Sequence, residues 1–142
     1  MSIINFFALT ILTGSFSWVT SVKADEAVAS TIDYSKAYEI KSEQMEGYSA
    51  RYIKTLQDNC LIVQTSLNGT SLKIYRQKKI CSLGSKSFDS DFADVSFDNL
   101  KFDENKLFID LGLSELRAGY QKFKKCSVNF YAGEISNMGC AP

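Results

Sequence analysis

The sequence predicts a mainly β protein of the α+β type: an antiparallel sheet built from hairpins, one N-terminal helix and two disulfides. β-prone runs separated by turn residues recur from residue 60 to the C-terminus, which is typical of hairpins. An even set of four cysteines lies in the same region and suits two bridges. Apolar residues at helical spacing precede the strands, which predicts the helix.

The first 24 residues have the pattern of a cleavable signal peptide. An apolar run over residues 3–12 is followed by small and polar residues, and Val22-Lys23-Ala24 fits a small-x-small cleavage site. Polar residues interrupt the run, whereas a membrane-spanning helix needs about 20 mostly apolar residues. We therefore expect a signal peptide over 1–24, no stable membrane anchor after cleavage, and a single disulfide-braced globular domain over 25–142.

Composition and charge restrict the classes of partner. The chain carries 16 basic and 16 acidic side chains, so it has no long-range field that would attract nucleic acid or an anionic membrane. Because 45% of the residues are apolar and 13% aromatic, a folded core is expected rather than disorder. The sequence thus predicts no nucleic-acid partner.

The first element of the domain is predicted to be a helix over residues 34–45. Tyr34, Ala37, Tyr38 and Met45 recur at spacings that suit one helical face. Residues 46–56 stay open between helix and strand, because Gly47 interrupts the helical pattern and the next residues alternate like a strand.

A hairpin is predicted next, with two β-prone runs over 60–67 and 70–75 joined by Asn68-Gly69, a strong two-residue turn signal. Apolar residues on both sides of these strands suggest a central hairpin, covered on one face by the helix or by a second sheet. The register that follows from the turn places Thr65 opposite Leu72, Val63 opposite Ile74, and Ile62 opposite Tyr75.

A further hairpin is predicted from strands 97–102 and 107–111 around the turn 103–106, with Leu107, Ile109 and Leu111 on one face. A loop over 82–87 and an acidic segment over 88–94 precede it. Residues 112–119 are predicted to form a short helical or turn segment. The last strands are expected over 120–131 and 135–140.

The cysteines are expected to form the disulfides Cys60–Cys81 and Cys126–Cys140. Zinc binding is disfavoured because the cysteines are widely spaced and the chain has no histidine. A three-residue loop over 132–134 would place Cys126 directly opposite Cys140, at the short separation a disulfide needs. The remaining pair then brackets the hairpin of residues 60–75.

The residues predicted to contact a partner lie mainly in the acidic segment. Asp89, Asp91 and Asp94 lack the spacing of a standard calcium loop, which favours a solvated acidic loop over a metal site. Aromatic residues within this loop, and one beside the C-terminal turn, are expected to be exposed contacts. The predicted protein-binding set is Phe88, Asp89, Asp91, Phe92, Asp94 and Tyr131.

These features favour an exported protein-binding module, periplasmic or extracellular. A chain without histidine lacks the usual general base, so no enzymatic activity, catalytic residue, metal or cofactor is predicted. The hypothesis is an inhibitor or immunity protein that docks on another exported protein, a toxin or hydrolase, and a homodimer is compatible with it. The alternatives are a carrier of a lipid or other small ligand and an enzyme of unrecognised type.

Overall fold

A computed structural model describes residues 32–68, 73–117 and 119–142. The predicted signal peptide and the residues that follow it, up to residue 31, lie outside the described residues. Part of the predicted Asn68-Gly69 turn lies outside them as well.

The first sheet has four antiparallel strands in the order β1-β2-β3-β4. The strands are β1 (Ala37–Gln44), β2 (Tyr48–Thr55), β3 (Leu61–Leu67) and β4 (Ile74–Ile80).

The second sheet has five antiparallel strands and follows a short hairpin, β5 (Ser82–Leu83) with β6 (Lys86–Ser87). Its order is β10-β9-β8-β7, and β11 also pairs with β9. The strands are β7 (Phe92–Asp103), β8 (Lys106–Glu115), β9 (Gln121–Tyr131), β10 (Glu134–Ile135) and β11 (Gly139–Cys140).

The two sheets pack face to face around one hydrophobic core. Inward-facing residues of both sheets belong to it, and the rings of Tyr52 in β2 and Phe102 in β7 stack with centroids 5.8 Å apart. Phe102 in turn contacts the ring of Phe130 in β9. Aromatic side chains therefore fill much of the space between the sheets, and the mainly β, antiparallel part of the prediction is confirmed.

The predicted N-terminal helix is wrong. Residues Tyr34–Lys36 make a single 3₁₀ turn and Ala37–Gln44 form the edge strand β1. The residues at helical spacing do not form a buried apolar face, because nearly all of β1 from Tyr38 onward is exposed. The backbone of this segment is hydrogen-bonded along β2 instead, and this pairing overrides the local helical pattern. The segment left open, 46–56, forms the turn and strand β2, whose alternate residues Tyr48, Ala50 and Tyr52 face the core.

The hairpin of β3 and β4 is confirmed, but its predicted register is wrong. Ile74 pairs with Ser66 rather than with Val63, and Val63 pairs with Lys78. Leu61 lies opposite Ile80, which places Cys60 and Cys81 at the open end of the hairpin. A longer connection than the two-residue turn shifts the pairing, and the shift brings both Leu61 and Ile80 into the core.

Both predicted disulfides, Cys60–Cys81 and Cys126–Cys140, are present in the structure. Disulfides of this kind form and persist in oxidising compartments, which fits an exported protein. Each bridge joins two strands within one sheet and leaves the two sheets unlinked by sulfur.

The predicted three-residue loop before Cys140 is wrong, although the disulfide it implied is present. Tyr131 pairs with Glu134 across a two-residue loop, Ala132-Gly133, and both loop residues have positive φ, as a type I′ turn requires. The register shift comes later, in residues 136–138, so that Cys140 still pairs with Cys126. The irregular segment 136–138 thus supplies the one-residue shift that brings Cys140 opposite Cys126, which the three-residue loop was expected to supply.

The hairpin predicted over residues 97–111 is confirmed, since Leu107, Ile109 and Leu111 all point into the core from β8. The helical or turn segment predicted over 112–119 is wrong in its first half, because Gly112 to Glu115 continue β8 and pair with β7 and β9. In the described part of the chain, no helix is long and apolar enough to cross a lipid bilayer.

Candidate interaction surface

Two of the predicted contact residues, Phe88 and Phe92, are buried, so the expectation that they are exposed is wrong. The backbone N–H of Phe88 donates to the carbonyl of Cys81 at 2.8 Å, which turns the ring inward after the β5–β6 hairpin. The ring packs against Phe92 and Phe97, with its centroid 5.8 Å from that of Phe97. Both predicted contacts are therefore core residues at one end of the sandwich.

Asp91 closes the turn that leads into β7. Its carboxylate accepts a hydrogen bond from the backbone N–H of Ser87 at 2.7 Å, and its own N–H donates to the Ser87 carbonyl at 3.0 Å. Such a side-chain to backbone bond is the ordinary role of aspartate in turns. Asp91 thus supports the loop, and its carboxylate is already engaged.

Asp89 and Asp94 are exposed, and neither side-chain carboxylate has a hydrogen-bond or ion-pair partner among the described residues. They lie on either side of buried Phe92, near the start of β7. These two carboxylates are the part of the predicted acidic segment that remains available to a partner.

Asp89 lies in an open cleft of about 370 Å³ at this end of the molecule. Two exposed apolar side chains line the same cleft, Tyr38 at 58% and Leu56 at 77% exposure. The remaining lining residues are Lys54, Thr55, Gln57, Asp58, Asn59, Cys60, Val95 and Phe97.

A β-bulge places Tyr38 at the cleft. Ala37 pairs with Thr55 and Glu39 with Lys54, so that Tyr38 is the extra residue in β1. The bulge brings its ring beside Lys54, whose ammonium nitrogen lies 5.5 Å from the ring centroid. This arrangement is a cation–π contact at the rim of the cleft.

The basic group in the cleft, Lys54, is fully engaged by neighbours. Its Nζ lies 2.7 Å from a carboxylate oxygen of Glu39 and donates to the backbone carbonyl of Phe97 at 2.9 Å. Glu39 also accepts a hydrogen bond from the Tyr52 hydroxyl at 2.6 Å. The hydrogen bonds from Lys54 and Tyr52 lower the pKa of the Glu39 carboxyl, so it is charged at neutral pH.

The second acid of the cleft, Asp58, is also neutralised by its neighbours, because its carboxylate forms an ion pair with Lys79. Among the described residues that line the cleft, the Asp89 carboxylate is therefore the charge without a partner, and Leu56 and Tyr38 are exposed apolar residues of the same lining. A cleft lined by both a negative group and apolar side chains is chemically complementary to a protruding cation with an apolar stem, such as a lysine or arginine of a partner.

Tyr131, the last predicted contact, is 84% exposed and lies at the opposite end of the second sheet. Asp94 pairs with Ser114, which pairs with Gln121 at the start of β9, whereas Tyr131 ends that strand. Ten residues of extended strand, roughly 33 Å, therefore separate the two ends. The structure does not bring Tyr131 together with the acidic segment.

Sequence reasoning missed Tyr38 and Leu56. The predicted helix placed Tyr38 on its apolar face, and Leu56 belonged to the segment left open. Leu56 precedes Gln57-Asp58-Asn59, and the Asp and Asn of this run are typical of a turn, which is the signal that could have placed Leu56 at an exposed position.

In the described ranges, no group of three or more His, Cys, Asp or Glu side chains is placed to hold a metal ion. Comparisons with protein-family models, with curated proteins and with solved structures find no match for this chain.

Proposed function

We propose that this protein is a periplasmic or secreted protein-binding module, an inhibitor or immunity protein that docks on an exported toxin or hydrolase. The observation that carries the proposal is a cleft whose lining combines Asp89, with an unpaired carboxylate, and the exposed apolar residues Leu56 and Tyr38. The expected partner presents a cationic side chain with apolar surroundings to this cleft.

The scaffold around the cleft supports docking with little loss of conformational freedom. Cys60 lines the cleft and is bridged to Cys81, and Lys54 ties β2 to the backbone of β7. A binding surface that is already ordered does not have to be immobilised when the partner arrives, which raises affinity for a given contact area.

The charges favour a cationic partner surface. Lys54 is neutralised by its ion pair with Glu39 and Asp58 by its ion pair with Lys79, whereas the exposed carboxylates of Asp89 and Asp94 have no ion pair among the described residues. Complementary charges at an interface speed association and select the partner more than they raise affinity.

The interior supports a surface-binding role over the small-ligand carrier. The rings of Tyr52, Phe88, Phe97, Phe102 and Phe130 occupy the space between the sheets. A carrier needs an apolar cavity of a few hundred Å³ that encloses most of its ligand. The packed rings take up the space that such a cavity would need, which favours binding at the surface.

The test is affinity capture from the exported fraction of the host, with the wild-type protein and the double variant Asp89→Lys/Asp94→Lys as baits. We expect the wild type to recover a protein whose toxic or hydrolytic activity it inhibits, and the double variant to bind it at least about tenfold more weakly. The matched control is Asp103→Lys, at the far end of β7, which should bind normally. A partner bound equally by all three baits contradicts the proposal, as does the absence of any inhibited partner.

A further inference from the structure

We propose that this protein forms a homodimer in which the edge strands β1 of two copies pair antiparallel, centred on Ser42, and join the two first sheets. This interface is separate from the Asp89 cleft and does not depend on the function proposed above. Four observations support it: an open main-chain edge, a regular strand, self-complementary charges, and an exposed isoleucine.

The outer edge of β1 presents unpaired main-chain groups. Among the described residues β1 pairs only with β2, and the side chains from Ile40 to Gln44 are exposed. The Met45 N–H donates to the Tyr48 carbonyl at 2.8 Å, which sets the phase of the ladder. Because bonding alternates along an antiparallel strand, residues 39, 41 and 43 bond to β2, and Ile40, Ser42 and Gln44 direct their N–H and C=O groups outward.

Other outer strands of the sandwich carry features that protect an edge. β7 has two irregularities, between Phe92 and Asp94 and between Asp98 and Lys101. β4 is covered by contacts with the β10 segment, where Arg76 binds Glu134. The pairing of β1 is regular from residue 39 to 44, so its edge is a suitable template for a further strand.

The charges on the inner face of β1 alternate in sign: Glu39, Lys41, Glu43. In an antiparallel pair centred on Ser42, Lys41 lies opposite the second copy's Glu43, and the two-fold axis repeats this contact. Opposite charges directly across a pair of strands are favourable, and like charges are unfavourable. The strand is therefore complementary to itself.

The neighbouring registers are less favourable. A pair centred on Lys41 would place this lysine opposite its own copy and Glu39 opposite Glu43. A pair centred on Ile40 would need the bulged residue Tyr38 in the ladder and would use Glu39, which is already bound to Lys54 and Tyr52. The Ser42-centred register avoids both problems.

Apolar burial favours the pairing of this edge. Ile40 is 50% exposed in one copy, and in the dimer it packs opposite the second copy's Gln44, which removes apolar surface from water.

The test is a charge-exchange experiment followed by sedimentation equilibrium, with both disulfides intact. Lys41→Glu places two glutamates opposite each other, and Glu43→Lys places two lysines opposite each other, so each variant alone should dimerise at least about tenfold more weakly than wild type. The double variant Lys41→Glu/Glu43→Lys and an equal mixture of the two single variants should both restore the dimer. Lys73→Glu, the same charge change at an exposed site preceding β4, should leave it unchanged.

Two outcomes would overturn the homodimer: a wild-type protein that stays monomeric up to about 1 mM, or a dimer equally stable in all variants. The Asp89→Lys/Asp94→Lys protein should dimerise normally, so failure of the dimer and failure of partner binding are distinguishable.

Discussion

At the residue scale, the polar contacts of Glu39 connect the edge strand to the core. Glu39 joins the Tyr52 hydroxyl and the Lys54 ammonium group, and Lys54 reaches the backbone of β7. Burial, and then the bond to Glu39, raise the pKa of Tyr52, so its hydroxyl remains a donor throughout the ordinary pH range. These three side chains thus link β1, β2 and the second sheet.

The lowered pKa of Glu39 predicts acid sensitivity. In the unfolded chain the carboxyl has its ordinary pKa of 4.5, and in the folded protein the value is lower. Below 4.5 the unfolded state therefore binds more protons, so this contribution to stability is present above 4.5 and disappears as the pH falls through the folded value. We expect Glu39→Gln to lose stability at neutral pH and to have a shallower decline of the unfolding free energy between about pH 5 and 3.

Urea denaturation across this pH range measures the effect. Glu46→Gln removes an exposed carboxylate from the β1–β2 turn and should retain the wild-type slope. The pKa values of Asp110, Glu115 and Glu134 are also lowered in the folded protein. These carboxyls therefore leave part of the pH dependence in the Glu39→Gln variant as well as in the Glu46→Gln control. Equal slopes in wild type and Glu39→Gln would show that the ion pair has no role in acid stability.

At the element scale, β8 is the strand whose pattern is clearest in the sequence. Leu107, Ile109 and Leu111 alternate with Phe108 and Asp110, and strict alternation places the first set in the core and the second outside. β8 lies between β7 and β9, so the pattern is reinforced by ladders on both sides.

The position of β8 predicts a large cost for truncation of a buried side chain. Leu107→Ala leaves a cavity in the core, where Leu107 is fully buried, and we expect the unfolding free energy to fall by about 2–5 kcal/mol. Phe108→Ala, the next residue on the solvent side, should cost clearly less although it removes a larger side chain. Chemical denaturation of both variants checks this, and equal losses would mean that β8 does not present the faces described.

The elements that the sequence mispredicted are those whose local signals were ambiguous. Tyr34, Ala37 and Tyr38 fit a helical period, but Tyr34 lies in a 3₁₀ turn and the edge strand begins at Ala37, which only the ladder with β2 decides. The acidic neighbours of Phe88 and Phe92 indicated a solvated loop. A short hairpin turns both rings inward instead, an effect of tertiary packing that no local pattern records.

At the scale of the whole molecule, the sandwich is held together by its core and not by its disulfides. Each bridge closes a hairpin or strand pair inside one sheet. The sheets are joined by the shared apolar cluster and by polar contacts such as Arg76 with Glu134 and Lys78 with the Ile135 carbonyl. Reduction should therefore weaken the fold without separating the two sheets.

Removal of the bridge beside the cleft tests this view. Cys60→Ala/Cys81→Ala releases a loop of sequence separation 21, and the lost constraint on the unfolded chain should lower the unfolding free energy by about 3 kcal/mol. Because the core remains, far-UV circular dichroism should still show a folded β protein with one cooperative transition. An unfolded variant, or one with undiminished stability, would contradict this division of roles.

The sequence by itself determined the features that depend on residues close together in the chain. These are the alternating strands, the hairpin of residues 97–111, and both disulfides, which join local strand pairs. Only the tertiary structure decided the role of residues 37–44, the burial of Phe88 and Phe92, and the proximity of Tyr38, Leu56 and Asp89. The physical reason is the distance along the chain over which the deciding interactions act. Side-chain alternation and turn chemistry act over a few residues, whereas the pairing of an edge strand and the packing of two sheets depend on residues far apart in the chain.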